Sequence, residues 1–194
     1  MSDGEKDALT IVFSMGNFSK EEIKEISDAF SDVAPIQQRF YARDSAEVLP
    51  AILIFSLGLV LGSIAGGFFE AIGSDIYQKA KKKAVDSLKG KERPTLVFEM
   101  SYKDVKISIS TTTNDEGTLN HVFDTINKAK DLAVSELDKK ETPEMTEIAL
   151  GFDKDWKLIE GTNWKPMGKP KVIKFYEYNK ETGKWELTRD WSDN

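Results

Sequence analysis

Val48-Leu-Pro-Ala-Ile-Leu-Ile-Phe-Ser-Leu-Gly-Leu-Val-Leu-Gly-Ser-Ile-Ala-Gly-Gly-Phe-Phe69 is a run of 22 uncharged residues fenced by Glu47 and Glu70. No other stretch of the chain is so committed to leaving water. As a helix it would reach roughly 33 Å, about one hydrocarbon core. Gly58, Gly62 and Gly66 recur every fourth residue and would line one helical face, which Ser63 and Gly67 widen. Small residues at that spacing let helix backbones approach closely in lipid. In water each glycine would cost about 0.5–1 kcal/mol of helix stability relative to alanine. Pro50 is early enough to sit in a first turn. Two readings stand: a membrane-inserted or self-associating helix with a glycine zipper, or a helix buried at the core of a soluble domain.

Upstream, Leu9–Ser14 is short, β-branched and partly alternating, which predicts a strand. Ser19 followed by Glu22 forms a capping box. Ile23, Ile26, Phe30 and Val33 then recur at helical spacing, with Glu21, Lys24, Glu25 and Asp28 outward. Pro35 stops that helix, and Ile36–Tyr41 reads as a second strand weakened by Gln37 and Gln38.

Downstream, the apolar helix is expected to continue to about Leu88, carried by Ile72, Ile76, Ala80, Val85 and Leu88. Its other faces hold Lys79, Lys81, Lys82 and Lys83. Residues 79–93 contain seven Lys and Arg against Asp86 and Glu92, whereas residues 1–47 carry five basic and ten acidic groups. Basic residues just past an apolar span favour the cytoplasmic side and could rest on anionic lipid; a lysine cluster by itself is commonly a solvated face. Gly90 and Pro94 end the helix. Leu96, Phe98, Met100 and Tyr102, then Val105, Ile107 and Ile109, alternate with more polar residues about a turn at Lys103-Asp104, which predicts a hairpin with one apolar face. A further amphipathic helix follows with Leu119, Val122, Phe123, Ile126, Ala129, Ala133 and Leu137 on one side, and residues 138–143 read as a linker.

The last fifty residues differ in character. All four tryptophans, Trp156, Trp164, Trp185 and Trp191, lie there. Short strands are expected at residues 146–152, 156–160, 171–178 and 184–189, with Gly183 at a positive-φ turn position. The tryptophans would form either the core of a small sheet or a partner surface.

Residues able to carry out chemistry are few. The chain has no cysteine, which removes disulfides, thiolate catalysis and cysteine-based zinc sites. A net charge of −6 argues against general nucleic-acid binding. His121 stands alone beside Asn120 near a helix start, where a solvated or capping role fits better than catalysis. Asp153 and Asp155 flank Lys154 without the rest of a calcium loop, and no phosphate-loop spacing occurs. No cofactor is implied, and an enzyme is not expected. The N-terminal MSDGEKDALT lacks the basic and apolar regions of a signal peptide, so an intracellular chain is expected.

The succession of strand, helix, weak strand, glycine-studded apolar helix, basic stretch, antiparallel hairpin and helix over roughly residues 8–138 resembles the effector-associated constant-component modules of prokaryotic conflict and signalling systems. Leu57–Phe69, Lys79–Lys83 and the strands Thr95–Tyr102 and Val105–Ser110 carry the likeness. The resemblance implies an adaptor rather than an enzyme.

The expectation is therefore an α+β chain. Residues 1–140 hold a small antiparallel sheet with amphipathic helices and one long glycine-rich helix, and residues 144–194 form an aromatic β-meander. Its expected role is non-enzymatic, with membrane or self-association through Gly58, Gly62 and Gly66. Lys79, Lys81, Lys82 and Lys83 would face lipid on the cytoplasmic side, and Trp156, Trp164, Trp185 and Trp191 would meet a protein partner. The alternative is a cytoplasmic, soluble α+β binding protein with the apolar helix as its core.

Overall fold

Ile52–Val60, the heart of the apolar run, is a β-strand and not a helix. The computed structural model describes residues 9–31, 36–41, 50–60, 74–102, 105–138, 147–151, 172–179 and 181–192. In chain order these form β1 (Leu9–Ser14), α1 (Lys20–Ser31), β2 (Ile36–Tyr41), β3 (Ile52–Val60), α2 (Ser74–Lys89), β4 (Thr95–Tyr102), β5 (Val105–Thr112), α3 (Glu116–Leu137), β6 (Glu147–Gly151), β7 (Val172–Asn179) and β8 (Lys184–Ser192).

A run that is apolar at every position shows no alternation, so periodicity does not separate a buried strand from a buried helix. The neighbours decide. β3 lies between β1 and β4, which satisfy its backbone on both sides, and it carries apolar residues for both faces of the sheet. Gly58 falls within β3 beside a register irregularity between Ser56 and Val60, a place where strand glycines are common. Gly62 and Gly66 lie outside the described residues. The glycine-striped helix is thus not formed over Ile52–Val60. No helix among the described residues is long and apolar enough to cross a membrane.

The strands make one eight-stranded sheet in the order β2-β1-β3-β4-β5-β6-β7-β8. The expected small antiparallel sheet is replaced by this larger, mixed one. Neighbours β1·β2, β3·β4, β5·β6 and β6·β7 are parallel, while β1·β3, β4·β5 and β7·β8 are antiparallel. The physical reason is that α1, α2 and α3 each carry the chain back, so that the next strand lies parallel beside the last. The broad α+β class stands, and the expected hairpin of residues 95–110 is present as β4 and β5. The C-terminal strands are not a separate meander: β6 and β7 are parallel neighbours and extend the main sheet. The strand expected at residues 156–160 lies outside the described residues.

The three described helices cover one face of the sheet. Phe55 of β3 packs against Phe30 of α1, Phe98 of β4 and Phe123 of α3, with ring centroids 5.0, 5.3 and 6.3 Å away. Tyr77 of α2 closes the group, 6.3 Å from Phe123, and donates its hydroxyl to the Phe123 carbonyl at 2.7 Å. β1 and β5 point the same way but step to β2 and β6 in opposite directions beneath helices on the same face. Those two crossovers therefore have opposite hands, and one departs from the right-handed rule.

Local signals are obeyed. The capping box forms at α1: the Ser19 N–H donates to Glu22 Oε2 at 2.7 Å, and the Glu22 N–H donates to Ser19 Oγ at 3.1 Å. Asp115 caps α3 by accepting from the Thr118 N–H. Gly183 adopts φ 66° in the β7–β8 turn, as its placement predicts. After α2 the left-handed position falls on Arg93 (φ 45°) rather than on Gly90.

Phe55→Ala is expected to destabilise the fold by about 3–5 kcal/mol, since three rings lose a common partner. Urea unfolding followed by circular dichroism measures it, and a loss below about 1 kcal/mol would refute the packing described.

Candidate functional site

The opposite face of the sheet has no described helix upon it. Strand alternation sends Thr10 and Val12 of β1, Ile52, Ile54 and Ser56 of β3, and Glu99 of β4 to that side. All six are half-buried, while their alternate neighbours Ile11, Leu53, Phe55 and Phe98 lie at 2% exposure or less beneath the helices. The pairing register lines these residues up across the strands. Val12 stands opposite Ile54, and Ile54 stands beside Val97. The next row runs Thr10, Ser56, Glu99, Ser108, Ala149 and Phe175.

The result is a short apolar stripe over β1, β3 and β4, beside a row that is polar from Thr10 through Ser108. Its cause is local: β5 alternates cleanly, so its outward residues are polar, whereas β3 is apolar on both sides and its neighbours β1 and β4 add Val12 and Val97. Three adjacent strands at about 4.8 Å spacing make the stripe about 10 Å wide, close to the diameter of one helix. A polar rim adjoins it, where Lys106 Nζ lies 2.7 Å from Glu99 Oε1 and the two side chains are 27% and 26% exposed.

The helix layer holds the charged groups the sequence singles out. A groove of about 290 Å³ is lined by Gln78, Lys81, Lys82, Val85, Asp86 and Lys89 of α2 with Glu116 and Asn120 of α3. Its charges largely answer one another. Lys81 is 7% exposed, and its ammonium reaches Asp124 Oδ1 of α3 at 2.6 Å, so its stem packs while its head emerges. Lys89 lies 2.7 Å from Asp86, and its hydrogen bond holds the Asp86 carboxyl below the usual range. Lys83 bonds Glu25 of α1 at 2.7 Å. Of the four lysines proposed to touch lipid, Lys81 and Lys83 thus join helices to one another, and Lys79 and Lys82 are exposed. Burial raises the Tyr77 hydroxyl far above its ordinary range, so it remains a neutral donor.

The aromatic residues divide. Trp185 of β8 is half-buried and packs edge-on against Tyr178 of β7 at 5.3 Å. Tyr178 in turn lies 5.0 Å from the His121 ring. His121 therefore ties α3 to β7 and is neither a cap nor a fully solvated group. Trp191 stands opposite Ile173 in the β7–β8 register; Trp156 and Trp164 lie outside the described residues, as do Asp153 and Asp155. Among the described residues no three His, Asp or Glu side chains gather to hold a metal ion. Sequence inspection missed the outward stripe because it appears only when β1, β3 and β4 are set in register. The usable signal was the contrast between alternation in Leu9–Ser14 and its absence in Ile52–Val60.

No protein-family model, no curated protein and no solved structure matches the chain.

One ionic cluster joins α1 to the segment after α2. Lys91 Nζ lies 2.8 Å from Glu22 Oε1 and 5.1 Å from the centre of the Phe18 ring. Burial pushes the Glu22 carboxyl up, but hydrogen bonds from Lys91 and Ser19, with the Lys91 charge, bring it below its ordinary 4.5. A carboxylate whose pKa falls on folding adds stability above its unfolded value and loses that stability as pH drops through the folded value. Glu22→Gln is expected to cost about 1 kcal/mol at neutral pH. The gap from the parent should close as the pH falls below 4.5 and through the lowered folded value. Thermal melts of both proteins across that range measure it; a gap independent of pH would contradict the assignment.

Proposed function

We propose that this chain is a non-enzymatic interaction module that presents the sheet face opposite its described helices to an amphipathic helix of a protein partner. The supporting observation is the stripe of half-buried Val12, Ile52 and Ile54 on the face opposite the described helices, lined up across β1 and β3 and backed by Val97 of β4, which is 8% exposed. A contiguous apolar patch rimmed by polar groups is the usual mark of an interaction surface. Completing the burial of Val12, Ile52 and Ile54 is worth roughly 3 kcal/mol in all. Association costs at least 4 kcal/mol, so the stripe alone does not suffice, and the Glu99–Lys106 rim would contribute to affinity and orientation. An adaptor role is also what the resemblance to effector-associated constant-component modules implies.

The membrane reading draws less support. Its lysines are partly engaged, Lys81 with Asp124 and Lys83 with Glu25, and its helix is absent over Ile52–Val60.

A photo-crosslinking residue placed at Ser56, on the face opposite the described helices, is expected to trap one discrete protein adduct in cells of origin. The same group at Gln78, on the helix layer, should trap none. Ile54→Lys should abolish the Ser56 adduct while leaving the melting temperature within a few degrees. Equal adducts from Ser56 and Gln78, or co-sedimentation with anionic vesicles that Ile54→Lys does not weaken, would contradict the proposal.

A further inference from the structure

The sheet ends in two edges that differ in kind. β8 bears Lys184, Glu186, Arg189 and Asp190, and its pairing with β7 is interrupted by a register shift between Phe175 and Tyr176. Charges and irregular register are the devices by which edge strands avoid pairing with another chain. β2 has neither. Its sequence Ile-Gln-Gln-Arg-Phe-Tyr holds one charge and no proline. Its six residues pair with β1 in unbroken parallel register. Phe40, on the helix side 6.3 Å from the Phe13 ring, is 53% exposed.

We infer that β2 is a self-pairing edge: two copies of this chain join β2 to β2 antiparallel about a two-fold axis through Gln38, continuing the sheet across the interface. The register follows from the sequence. Directly opposed residues of an antiparallel pair share a face, so a two-fold axis must pass between one residue and its own copy. Two such axes pair five residues of each strand. An axis at Arg39 sets arginine against arginine, which is unfavourable. An axis at Gln38 sets Ile36 opposite Phe40 twice, Gln37 opposite Arg39 twice, and Gln38 opposite itself. Phe40 then gains an apolar partner that is itself packed against the core of the other copy, so the two cores meet through Phe13, Phe40 and Ile36. Gln38 already donates to Ser27 Oγ at 2.9 Å, which holds its side chain on the helix side. The axis is perpendicular to the sheet, so in both copies the face opposite the described helices looks the same way. This inference stands without the partner-binding proposal.

The chain has no cysteine, which gives a clean test. Opposed Cα atoms in an antiparallel pair lie about 4.5–5.5 Å apart, within disulfide range. Gln38→Cys under mild oxidation is expected to give a covalent dimer at least tenfold faster than Arg39→Cys or Leu187→Cys, the last on the β8 edge. The unmodified chain should show a monomer–dimer equilibrium by sedimentation, in the micromolar range of small interfaces. Phe40→Lys, at an exposed position the fold tolerates, should weaken that equilibrium at least tenfold, whereas Leu187→Lys should leave it unchanged. A chain monomeric at several hundred micromolar, equal crosslinking at positions 38 and 39, or preferred crosslinking at position 187 would each overturn the inference.

Discussion

The structure depends on hiding the backbone of β3 and its inward side chains from water. Leu53 and Phe55 lie under the helices at 0% and 2% exposure, and Phe55 is the ring that α1, β4 and α3 all reach. β1 and β4 complete the hydrogen bonding of the β3 backbone, so its amides and carbonyls cost nothing in the interior. A strand of this composition would be a liability at a sheet edge. Placed between a β1 that joins it antiparallel and a β4 that joins it parallel, it becomes the axis about which the first two strand–helix–strand units are built. The helix layer follows from it, since α1, α2 and α3 each need an apolar floor.

The same composition leaves a surplus. The helices take up the inward half of β3 and leave Ile52 and Ile54 on the other face. Structure and proposed function therefore meet in one strand, whose inward residues hold the fold together and whose outward residues form the stripe. The charged groups of α1, α2 and α3 serve mainly to join helices. Lys81 to Asp124, Lys83 to Glu25 and Lys91 to Glu22 are all contacts between elements far apart in sequence. Pairs with exposed partners are each worth little, but together they hold the orientation of helices already seated by apolar packing.

Much of this was legible in the chain. The capping box at Ser19 and Glu22, the alternation of Leu9–Ser14, the hairpin of residues 95–110, the apolar stripe from Leu119 to Ala133 and the turn at Gly183 are local signals, and each is found. What was not legible is tertiary. A uniformly apolar segment carries no period, so Ile52–Val60 matched a membrane helix by length while its partners, forty residues apart in either direction, selected a strand. Parallel pairing of β5, β6 and β7 leaves no mark on the strands themselves, so the C-terminal strands read as a meander. The stripe of Val12, Ile54 and Val97 comes from three distant segments, each unremarkable alone. The lysines of α2 stood out as a cluster, yet only the packing of α1 and α3 shows that Lys83 and Lys81 are spoken for.

The central claim is that β3 is an interior strand held on both edges and capped by helices on one face. Native-state hydrogen exchange resolved to single amides tests it directly. The amides of Leu53, Ile54 and Phe55 should exchange only through global unfolding, with a free energy equal to that from urea denaturation. Exchange of those three amides at the rate of exposed turn positions such as Gly16, while the helices stay protected, would contradict the account.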